Sequence, residues 1–202
     1  MVAYATLADV KTISGLKAGD PSNDDSYAIF LERVARYLDT ECGRDFFRHP
    51  TLAGDPPETR IVRASGRHRR LMVRSGIISL SGLESATAPT GPWSAVAAAE
   101  WYLDPWDLPP HESYEAIVRV DGEAWAAGFY RPTGHFGFDA VPPLIVTANL
   151  EGARELERQG PGGGGPVGVN QFGTPLFMRG EPKSVNDAIR HYAWRRRNFQ
   201  GI

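Results

Sequence analysis

The chain has 202 residues, a formal net charge of -2, 42% hydrophobic and 23% charged residues, an ordinary globular composition that supports a core without staples. Its slightly acidic balance argues against a protein that coats nucleic acid, which carries a clear basic excess, so any DNA contact is local. With a single cysteine, Cys42, no signal-peptide pattern and no run near the ~18 apolar residues that span a bilayer, the expectation is a soluble protein made in a cytoplasm.

Thr6 followed by Asp9 has the form of a capping box, and Leu7, Val10 and Ile13 continue from it, which predicts a short helix over about 7–14. After a polar loop, Asp24 and Asp25 favour a second helix start. Tyr27, Phe30, Leu31, Val34, Leu38 and Cys42 then recur at helical spacing and Gly43 is a natural C-cap, giving a helix over 25–42.

From Glu58 to Arg131 the period changes. RIVRA, RLMVR, GIISLSGL, AEWYL and EAIVRV are short and rich in β-branched and aromatic residues, separated by Ser65-Gly66, Ser75-Gly76 and Asp121-Gly122. This predicts a small antiparallel sheet with hairpin turns at those pairs.

Pro142-Pro143 ends that region and opens a helix over 143–159, because proline at the first helical position gives up no useful donor. Between Gly160 and Gly173 stand five further glycines, Gly162, Gly163, Gly164, Gly165 and Gly168, broken by Pro161 and Pro166. Beyond them, Ser184 with Asp187 reads as another capping box, and Val185, Ala188, Ile189, Tyr192 and Ala193 form an apolar stripe, so a basic amphipathic helix is expected over 185–199. The fold class is then α+β: a single domain over 1–202 with a helical body of three to four helices, an inserted small antiparallel β region over about 58–131, and a flexible arm over about 160–183.

No pattern carries catalytic chemistry. The glycine run contains GxGxxG by accident of its composition, but a helix precedes it and Pro166 interrupts it, where a phosphate cradle needs a strand before and a helix after. His49, His68, His111, His135 and His191 make no HxxxH and join no CxxC, so no zinc spacing is present. Mid-helix Cys42 suits burial better than thiolate chemistry. Asp104, Asp107, Glu112 and Glu115 fit a solvated loop as well as a pair of catalytic acids, and no cofactor or metal ligand set is indicated.

Two basic clusters remain. Arg67, His68, Arg69 and Arg70 suit a solvated hairpin tip, with phosphate contact the sharper alternative. Over the last 20 residues, Lys183, Arg190, Arg195, Arg196 and Arg197 face only Asp187, a surplus of four cations that leaves about -6 on the rest of the chain. Advancing 100° per residue from Val185 along this helix puts Trp194 opposite the apolar stripe, near Arg190 and Arg197. There it is either an interface anchor flanked by arginines or covered by a loop of the same chain.

Five segments in order, YATLADVKTISGL, RVARYLDTECGRDFF, GHFGFDAVPPLIVTANL, PVGVNQFGTPLFMRG and SVNDAIRHYAWRR, together span nearly the whole chain. They resemble the head-tail connector, or adaptor, proteins of long-tailed bacteriophages and gene transfer particles. The resemblance implies a virion protein without enzymatic activity, located in the neck at the head-tail interface. It forms a homo-oligomeric ring under the portal protein, extends the DNA channel without sequence-specific DNA binding, and receives a stopper or tail-completion protein, with no membrane partner.

The resemblance also implies portal or neighbour contact by Val167, Val169, Phe172, Phe177 and Met178 in the arm and by Tyr192, Trp194, Arg195 and Arg196 at the end. The glycines let such an arm swing, while Val167, Phe172, Leu176 and Phe177 supply apolar surface for a partner to cover. Ordering it costs roughly 1–2 kcal/mol per residue, which assembly must offset. The competing readings are a DNA-binding regulator that uses the basic C-terminal helix, and a hydrolase whose site converges only in space.

Overall fold

The computed structural model describes residues 3–17, 19–49, 54–108, 112–159 and 180–193. The chain divides into two compact units, Met1–Asp45 with Val141–Ile202, and Phe46–Ala140.

The first unit is helical: α1 (Leu7–Ile13), α2 (Asp24–Cys42), α3 (Pro143–Gln159) and α4 (Lys183–Tyr192). The Thr6 hydroxyl accepts from the Asp9 N–H at 3.2 Å while the Asp9 carboxylate accepts from the Thr6 N–H at 3.1 Å, so two orphan donors of α1 are met by the box read from the sequence. At the far end of α2, Gly43 takes the left-handed conformation with φ +70° and donates to the Asp39 carbonyl, the cap that a Cβ would disfavour.

Packing follows from which faces are apolar. Tyr27, Leu31, Val34, Ala35, Leu38 and Cys42 line the buried side of α2, and Ala5, Val10, Tyr27, Leu31 and Ala153 form a core cluster. α3 lies against both α2 and α4. Buried Asn149 on α3 satisfies both ends of its amide: its Nδ2 donates to the Leu31 carbonyl at 2.8 Å and its Oδ1 accepts from the Ala5 N–H at 3.0 Å. A buried polar group held this way joins three segments without a desolvation penalty. Lys11, 3% exposed, forms an ion pair with Asp24 and ties α1 to the start of α2.

The second unit is built from β1 (Arg48–His49), β2 (Glu58–Thr59), β3 (Val62–Ala64), β4 (Arg70–Ala86), β5 (Ser94–Ala95), β6 (Trp101–Asp104), β7 (Tyr114–Arg119) and β8 (Gly128–Gly137). All belong to one antiparallel sheet, with the path β1-β8-β4-β7-β6 and with β2 and β3 also on β8 and β5 on β4. The long β4 organises it. Its first half pairs with β7 from Arg70 to Ile77, and its second half with β8 from Ile77 to Ala86, with register shifts along the way. Leu71, Val73, Ile77, Leu83, Ile117, Trp125, Tyr130 and Phe136 are buried together. The Trp125 indole N–H donates to the Ile117 carbonyl at 3.0 Å and its ring meets Tyr130 edge-on at 5.0 Å. A buried indole thus keeps its one donor satisfied.

This architecture corrects the expected class. The fold is a sheet-rich α+β fold with one eight-stranded antiparallel sheet among the described residues, not a helical body with a small β insert. Strands begin at Arg48 and run to Gly137, beyond the expected 58–131 on both sides. β8 escapes a sequence reading because Pro132, Gly134 and Gly137 break the alternation that marks a strand. Pro132 is tolerated opposite the break between β2 and β3, where its carbonyl accepts the Arg60 N–H at 3.0 Å.

Ser75-Gly76 is likewise no hairpin turn. It lies inside β4 at a register shift, where Gly76 has φ +80° and a Cβ would fall 2.1 Å from the Ser113 hydroxyl. The glycine serves a strand irregularity and a close approach, a use that looks the same as a turn in sequence.

The expected Ser184–Asp187 box does not form either. Pro182 is the N-cap of α4, and the Ser184 hydroxyl instead donates to Glu151 on α3 at 2.5 Å. Starting two residues earlier moves Ser184 inside the helix, where its side chain serves tertiary contact instead of a cap.

Candidate partner-docking surface

Most residues assigned to partner contact lie outside the described residues: Val167, Val169, Phe172, Phe177 and Met178 in the arm, and Trp194, Arg195 and Arg196 at the end. Tyr192 is described and is buried at 3% exposure on the inner face of α4, together with Val185, Ala188 and Ile189. The His191 ring meets it edge-on at 4.5 Å. α4 closes at Tyr192, and Ala193 is extended, with ψ 107°.

Gly180 to Pro182, the described residues just ahead of α4, lie beside one face of α3. Glu151, Arg154, Glu155 and Arg158 recur there at i, i+3, i+4 and i+7, one face of a helix. With Gly180, Glu181 and Pro182 they line an open groove of about 430 Å³. Its acids are engaged: Glu151 accepts from Ser184, Glu181 from the Tyr37 hydroxyl, and Glu155 stands 3.7 Å from Arg158.

Among the described residues no group of three or more His, Cys, Asp or Glu is placed to hold a metal ion. Burial pushes the Cys42 thiol up to about 12, so it stays protonated at neutral pH. Asp104 is taken up in an ion pair with Arg70, which removes that arginine from the expected basic tip. Arg67, His68 and Arg69 remain exposed in the β3–β4 loop. No helix among the described residues is long and apolar enough to cross a membrane.

One surface residue was missed. Trp106, in the loop after β6, is 81% exposed, with the Tyr102 ring edge-on to it at 5.9 Å. Its sequence signal was available: an indole between Pro105 and Asp107, beyond a strand end and before a Pro-Pro pair, is placed where no core can reach it.

No protein-family profile and no curated protein matches the sequence. Among solved structures, one chain of a structure described as the neck of an empty GTA (gene transfer agent) particle computed with C6 symmetry is similar. It has 15% identity, a TM-score of 0.51, and coverage of 94% of this chain and 89% of that one. A chain from the neck of a native GTA particle computed with C12 symmetry aligns at 12% identity and TM-score 0.46, over 95% and 94% of the two chains. The fold is therefore shared, nearly end to end, with a neck chain of a gene transfer agent particle, in line with the connector resemblance carried by the sequence.

Proposed function

We propose that this protein is a structural virion component of a phage-like or gene transfer particle, a connector that forms a ring below the portal and joins the DNA-filled head to the tail. The observation that carries the reading is the structural likeness to a GTA neck chain, which spans both units and leaves little of either chain unmatched. That neck was computed with C6 symmetry, the symmetry of copies around a channel, and a ring of identical copies is the arrangement proposed here. DNA passes through without base-specific contact, and a stopper or tail-completion protein binds the far side.

In this reading, portal or neighbour contact is made by Val167, Val169, Phe172, Phe177 and Met178 and by Trp194, Arg195 and Arg196. Buried Tyr192 contributes by fixing α4, from which the terminal segment departs. Apolar and aromatic side chains in a glycine-rich segment have no other evident use, and aromatic and arginine residues are the usual anchors of interfaces.

Light scattering and negative-stain imaging of the full chain with and without its cognate portal test this. The expected result is a ring on the portal that is lost on Trp194→Ala or on deletion of 160–180. A wild-type chain that ignores the portal, and is missing from purified particle necks, would sink the assignment.

A further inference from the structure

We draw no further inference here: the strongest candidate, the face of the sheet where half-buried Phe129 and Trp93 and exposed Ile61 adjoin the uncharged stretch 86–99, is an unpartnered apolar surface, and nothing in the structure shows what covers it.

Discussion

The Tyr37 phenol in α2 donates a hydrogen bond to the carboxylate of Glu181, two residues ahead of α4. Burial, and then the adjacent carboxylate, push the phenol well above its ordinary pKa, so it remains a donor throughout the neutral range. The contact fixes the point from which α4 starts.

Tyr37→Phe should therefore lower stability by about 1–2 kcal/mol, the range for a hydrogen bond to a charged acceptor that keeps some access to water. Amide hydrogen exchange should quicken in α4 more than in the first turns of α2. Unchanged exchange in α4 would mean that Glu181 is held by other contacts.

Asn149→Ala should be among the most damaging substitutions in the helical unit. It leaves the Ala5 N–H without its partner and removes a donor from the Leu31 carbonyl, and it opens a cavity at a position with 0% exposure. A loss of about 2–4 kcal/mol in urea denaturation is expected from the two effects together.

Gly152→Ala sets helix propensity against packing. Alanine favours the helix by ~1 kcal/mol. Its Cβ, however, would fall 2.7 Å from the Val34 Cγ1 and 3.1 Å from its Cγ2, at the α2–α3 contact. Overpacking of about 1–3 kcal/mol outweighs the propensity gain, so the variant should be destabilised. Adding Val34→Ala should recover part of that loss, with a coupling of at least ~1 kcal/mol in a double-mutant cycle. Additive effects would contradict the proposed clash.

Asp39 gives stability a particular pH dependence. Burial raises its carboxyl to about 6, with the Asp45 charge acting in the same direction and the Tyr4 hydrogen bond opposing it. Because the folded value exceeds the unfolded one of about 3.9, the folded chain holds more protons between those values. The stability from this group is fully present below pH ~4 and is lost as pH rises through ~6. With partial exposure taken into account, the loss should be roughly 1–2 kcal/mol. Asp39→Asn keeps an acceptor for Tyr4 and should flatten this slope and raise stability at pH 7. Denaturation curves of both proteins from pH 4.5 to 7.5 measure the difference, and parallel slopes would refute it.

Much of the helical unit was legible because its determinants are local. The Thr6–Asp9 box, the apolar period from Tyr27 to Cys42, the glycine after it and the proline pair before α3 all act within a few residues of the element they define. The exposed Trp106, set between a proline and an aspartate, carries a signal of the same local kind. The assigned arm and terminal residues, by contrast, lie outside the described residues, apart from Tyr192.

The sheet was settled by contacts far apart in the chain. Nothing near Ser75-Gly76 distinguishes a turn from a strand irregularity, until β7 and β8 pair with the two halves of β4. Pro132 and Gly134 disguise a strand that only its partners reveal. Ser184 reads as a cap until Glu151, 33 positions earlier, takes its hydroxyl. Composition, caps and helical period are short-range properties of the backbone and were present in the amino-acid order alone. Strand pairing and side-chain partnership depend on which distant segments meet, and so only the folded chain decided them.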